Sequence, residues 1–174
     1  LKHSLAARLS LKRYCRIQLR GQNRFMSVPA STDISLDIDY AYIPLTLEYS
    51  GTEPTTLTDK KIMQRNNRIV VIGNPGSGKS SLSKKLFREE CRHSIDSPGE
   101  SHLPILIELK NVGFPSDISH QDLGKWFFEE IRTEIMQAGV YKMGECFDNY
   151  SHTTGLLILL DGLDEVPSTA YSTA

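Results

Sequence analysis

The feature that most constrains the fold of this chain is the stretch Gly73-Asn74-Pro75-Gly76-Ser77-Gly78-Lys79-Ser80. It lies between a β-branched run at residues 68–72 and a segment whose apolar residues Leu82, Leu86 and Phe87 recur at helical spacing, so it reads as the turn of a strand–loop–helix unit. Glycines at 73, 76 and 78 remove the Cβ atoms that would keep a loop from wrapping an anion. A helix starting where the loop ends points its unpaired N–H groups and the positive end of its dipole at the same place. Each constrained position of GxxxxGK[ST] is met, a coincidence expected in roughly 1% of chains this long. The expectation is a polyphosphate cradle built from Gly73, Asn74, Pro75, Gly76, Ser77, Gly78, Lys79, Ser80 and Ser81. Lys79 brings a charge to the β and γ phosphates, Ser80 a hydroxyl ligand for Mg²⁺, and Ser81 a contact to the α phosphate. The GxGxxG spacing of dinucleotide-binding turns is absent.

A second motif supplies the acid that such a cradle needs. Residues 156–160 are uninterruptedly apolar and end in Asp161, the arrangement of a buried strand that presents a carboxylate to Mg²⁺. Gly162-Leu163-Asp164-Glu165 then adds two carboxylates, either of which can orient or deprotonate a water attacking the γ-phosphate. The sequence does not rank Asp164 against Glu165. Alone, this is an acidic loop after a core strand; with the glycine loop upstream it becomes the other half of a Mg²⁺–nucleotide site.

The rest of the chain fits an α/β protein. Residues 105–109, entered through Pro104, form another apolar run, and residues 123–136 carry Trp126, Phe127, Ile131 and Ile135 at helical spacing. Continuous apolar strands alternating with helices indicate a parallel sheet covered on both faces, the three-layer P-loop NTPase arrangement. Within that helix, Trp126, Phe127 and Phe128 read as packing rather than as a base-stacking platform.

A lead-in occupies residues 1–58. It comprises a basic helix to about Arg20 with apolar Leu5, Leu9, Tyr14 and Ile17, an alternating extended stretch through Ile34, Leu36, Ile38 and Tyr40, and a Thr-rich linker to residue 58. The nucleotide-binding unit runs from 59 to 174, opening with a short helix through Lys61 and Met63. The acid-free start can be read as a transit peptide, but a solvated basic helix is the simpler reading. At 174 residues with a formal net charge of −1, the chain shows no overall pull toward nucleic acid or membrane. Its apolar runs are too short to cross a bilayer. Cys15, Cys91 and Cys146 lack disulfide or zinc spacing, and His3, His93, His102, His120 and His152 share no ligand pattern, so reduced thiols, a cytoplasmic setting and no metal beyond Mg²⁺ are expected.

The two motifs together, extended to Leu82 and to Val166-Pro167, resemble the NACHT NTPase family. The second motif carries the resemblance best, because a small residue after the aspartate (Gly162) and a paired acid (Asp164-Glu165) set that family's pattern apart. Residues 103–110 are similar to the strand between the motifs, and Tyr42-Ile43-Pro44-Leu45 to the extended lead-in of many bacterial-type members. The resemblance spans residues 40–167. It implies a STAND-class ATPase switch that alternates ADP and ATP states, self-associates in its full-length form, and serves innate or anti-phage immunity or cell death. It also places Tyr42 and Pro44 near the adenine pocket. Since the chain ends soon after the acidic motif, it is expected to be part of a longer protein with an incomplete sheet. The absence of an Asn-Lys-x-Asp sequence favours ATP over GTP. Two other readings stay open: a P-loop small-molecule kinase, although no acceptor site or arginine-bearing lid is evident between Cys91 and His120, and a non-catalytic nucleotide-binding interaction fragment.

Overall fold

The computed structural model describes residues 3–28, 31–49, 55–58, 62, 68–115 and 117–166. Helix α1 spans Leu5–Arg20, capped by the Ser4 hydroxyl accepting from the Ala7 N–H at 3.1 Å and ending at Gly21. An antiparallel hairpin of β1 (Phe25–Val28) and β2 (Ser31–Asp37) leads to the single-turn helix α2 (Ile38–Ala41). A second antiparallel pair joins β3 (Thr46–Tyr49) to β4 (Thr55–Thr58). Helix α3 (Lys79–Asp96), β5 (Leu103–Glu108), α4 (His120–Gln137), α5 (Met143–Ser151) and β6 (Leu156–Asp161) complete the chain. β5 and β6 run parallel, with Ile105 opposite Ile158 and Glu108 opposite Asp161.

One core gathers Ala7, Leu11, Tyr14 and Cys15 of α1, Phe87 and Cys91 of α3, Leu103 and Ile105 of β5, Ile131 and Ile135 of α4, and Phe147 and Tyr150 of α5. A smaller one places Leu82 and Leu86 of α3 with Ile62, joined at its edge by Tyr42, Leu45, Leu47, Val71 and Leu159. α3 therefore faces two ways, toward the helical core and toward the lead-in. Burial pushes the thiol of Cys91 far up and that of Cys146 up to about 12, so both stay protonated and inert.

Several expectations need correction. The apolar stripe of α1 that enters the core is Ala7, Leu11, Tyr14 and Cys15, whereas Leu5, Leu9 and Ile17 are exposed. A helix with apolar residues all round gives more than one candidate face, and only the packing partner chooses. Ala7, Leu11, Tyr14 and Cys15 of α1 belong to the main core. Residues 68–72 are not in a strand; among the described residues the parallel sheet has β5 and β6 alone. β-Branched residues favour extended backbone locally, but a ladder needs a partner edge, and only Val71 of this run turns inward. Residues 55–58, read as linker, are a strand, because Thr55–Thr58 meets the free edge of Thr46–Tyr49. The alternation through Tyr40 breaks at Ile38, where the Asp37 carboxylate accepts from the Asp39 N–H at 3.0 Å and starts a helical turn that buries Ile38 and leaves Tyr40 exposed. The short α5 was not anticipated. Lys61, Met63 and residues 167–174 lie outside the described residues. Among the described residues no helix is long and apolar enough to cross a membrane.

Candidate functional site

The glycine loop takes its shape from two backbone requirements. Gly76 and Gly78 have φ of +77° and +90°, a region that costs an L side chain about 1–2 kcal/mol. The Asn74 carbonyl accepts from the Ser77 N–H at 3.1 Å, closing a turn between them. At Gly73 a Cβ would come within 2.7 Å of the Ser77 hydroxyl, a contact that a turn of the serine side chain would relieve.

Gly78 is the N-cap of α3 and provides no side-chain acceptor, and the first turn holds no acid. The first intrahelical bond is donated by Leu82 to Gly78, so the N–H groups of Lys79, Ser80 and Ser81 have no intrahelical acceptor. Lys79 folds back over the loop, its Nζ donating to the carbonyls of Gly73 at 2.7 Å and Asn74 at 3.3 Å. The loop thus gathers N–H donors, a helix dipole and an ammonium in one place, the requirements of an anion site.

Across from the loop, the Ser80 hydroxyl donates to Asp161 Oδ1 at 3.0 Å. Residues 81 positions apart in sequence meet because β6 ends at Asp161 beside the start of α3, and Gly162, at φ +78°, turns the chain away immediately afterwards. Ser80 and Asp161 present two hard oxygens at one point, ligands of the kind that Mg²⁺ takes. Among the described residues no group of three or more His, Cys, Asp or Glu is placed to hold a metal by itself.

The two carboxylates beyond Asp161 differ. Glu165 lies 3.7 Å from Lys110 Nζ, and its carboxyl carbon stands 3.5 Å from where a Cβ on Gly162 would be, so it folds back toward the strand end. Asp164 is exposed and makes no ion pair among the described residues. Sequence reasoning missed Glu108, which sits opposite Asp161 in the sheet register. Lys110 approaches Glu108 at 3.6 Å and Asn111 donates to it at 3.2 Å. The signal was present, since residues 105–108 repeat the pattern of an apolar strand ending in an acid.

Beside the loop, Met26, Ala41, Tyr42, Ile43 and Leu45 join Gly76, Ser77, Gly78 and Ser81 around a cleft of about 240 Å³. Pro44 is not among its lining residues. The ammonium of Lys85 lies 5.7 Å from the Tyr42 ring centre. What holds the lead-in here is Asp39, which receives Arg88 Nη2 and Arg92 Nη2 at 2.5 Å each, while Arg88 Nη1 donates to the Leu19 carbonyl at 2.9 Å. Arg88 is 3% exposed, and its hydrogen bond leads the causes that lower the Asp39 pKa to about 2. No sequence signal marked this clamp, because its partners are distant in the chain.

These residues belong to a mixed α/β protein with a small parallel sheet, a glycine-rich loop at a helix start and an acid at the neighbouring strand end. No protein-family profile, curated protein or solved structure matches the chain.

Proposed function

We propose that the chain is an ATP-binding module of the P-loop NTPase type, most similar to the NACHT switches, acting within a longer signalling protein of the cytoplasm. The 3.0 Å contact between Ser80 and Asp161 supports this reading best. It joins two motifs that were identified separately in the sequence, and it does so at the atoms expected to share Mg²⁺. When bound, Mg²⁺ supplies charge neutralisation between the β and γ phosphates.

Lys79 trades its two carbonyl acceptors for phosphate oxygens, which are stronger acceptors because they are charged. The free N–H groups at the start of α3 hold the same phosphates, and Ser81, which lines the cleft, lies on the path to the base. The cleft's apolar wall of Tyr42, Ile43 and Leu45 suits a planar base. Glu165, held by Lys110, is better fixed than Asp164 to orient a water, and slow hydrolysis to ADP follows from that role. Self-association of the full-length protein on ATP binding is part of the same reading.

The test is titration of a fluorescent ATP analogue with Mg²⁺ against the wild type and Lys79→Ala. Weakening by a factor of ten or more is expected, in line with the loss of a charge-assisted bond of about 1.5–3 kcal/mol. Equal affinities reject the proposal.

A further inference from the structure

We infer that the outward face of α1 is a docking surface for an anionic lipid bilayer, on which the protein lies without spanning it. The inference is independent of nucleotide binding and starts from a segregation that the net charge of −1 conceals. Every charged residue of α1 (Arg8, Lys12, Arg13, Arg16 and Arg20) is basic.

The helix buries Ala7, Leu11, Tyr14 and Cys15, which fixes its orientation in the protein. On the opposite side, positions 5, 9, 12, 13, 16, 17 and 20 fall within one arc at helical spacing. That arc interleaves Lys12, Arg13, Arg16 and Arg20 with Leu5, Leu9 and Ile17, which are 73%, 59% and 42% exposed. Among the described residues no carboxylate pairs with these four cations, although most other basic side chains of α3 and α4 have acidic partners.

Charge complementarity and the aliphatic residues together select the occupant. Exposed aliphatics also occur elsewhere in the chain, but here three of them share one helical arc with four cations that pair with no carboxylate among the described residues. A second copy of this face brings like charge. Nucleic acid attracts the arginines but offers nothing to Leu5 and Leu9. A bilayer containing anionic lipid meets both needs, with headgroups on the cations and the acyl boundary for the leucines.

The experiment is co-sedimentation of the whole chain with sucrose-loaded vesicles, either phosphatidylcholine alone or with roughly a third phosphatidylserine. The comparison set is wild type, Arg13→Gln/Arg16→Gln/Arg20→Gln, and Leu5→Ser/Leu9→Ser. Circular dichroism melting checks that each variant is folded, as substitutions on exposed positions should leave it. Binding to the anionic vesicles only is expected. Removing three cations should weaken it about a hundredfold, at roughly fivefold per cation, and the leucine pair should weaken it at least tenfold. Failure of the wild type to sediment with anionic vesicles at low salt overturns the inference. So does full binding by the leucine variant, or displacement from vesicles by a single-stranded oligonucleotide at equal charge concentration.

Discussion

The two strands of the parallel sheet carry the same kind of side chain and meet different surroundings. Ile105 and Ile107 on β5 are 1% and 8% exposed, whereas their register partners on β6, Ile158 and Leu160, are 37% and 48% exposed. Paired residues in a sheet share a face, so neither residue type nor orientation separates them. What differs is cover: β5 lies in the main core, whereas β6 is left half-exposed, and in the apolar run at residues 68–72 Val70 is 82% and Ile72 90% exposed. The glycine loop hangs between these regions, its leading side on the open run and its trailing side on α3. Low packing on one side of a binding loop makes local opening easy, and a ligand that grips the loop has the most to add there.

This contrast can be broken most readily at the closed side. Phe147, which is fully buried, should cost about 3–5 kcal/mol when replaced by Ala, against about 1 kcal/mol or less for Ile158→Ala, both read by urea unfolding. Similar losses at the two positions would erase the distinction. Mg·ATP at about a hundred times its Kd should then raise stability by about 2.7 kcal/mol in a thermal melt, and Lys79→Ala, at the same ligand concentration, should cut the gain to about 1.4 kcal/mol or less. A gain unchanged in that variant would place the ligand elsewhere.

The clamp that ties the lead-in to α3 should come next. Asp39→Asn strands the buried Arg88, and because Asp39 keeps partial solvent contact the cost is discounted to about 1–2 kcal/mol. The Asp39 pKa falls from its ordinary 3.8 to about 2, chiefly through the Arg88 hydrogen bond. Its contribution is therefore complete above about pH 4 and is lost as pH falls toward 2. Acid titration of stability should show a shallower loss across that window in Asp39→Asn than in wild type. The smallest effect is expected at the exposed Arg132–Asp148 pair, where Arg132→Ala should change stability by less than about 0.5 kcal/mol.

Legibility followed the range of the interaction. The helix after Lys79 and an apolar strand ending in Asp161 were readable, because each depends on a few adjacent residues, although β6, expected to be buried, is half-exposed. The hairpin strand at Thr55–Thr58 was not, since a Thr-rich stretch becomes a strand only when an edge such as Thr46–Tyr49 is offered to it. The buried stripe of α1 was misassigned for the same reason, and Glu108 was overlooked although its strand follows the pattern of the one before Asp161.

By itself the sequence determined the place of the glycine loop, the donor-rich start of the helix behind it and the acid that ends β6. Steric limits on φ, helix-end geometry and apolar run length act within a few residues. The tertiary structure alone decided that Ser80 meets Asp161, that Asp39 clamps Arg88, which face of α1 is buried, and that residues 68–72 stay out of the sheet. Each of those outcomes depends on which surfaces meet, and it is the packing of distant segments that brings them together.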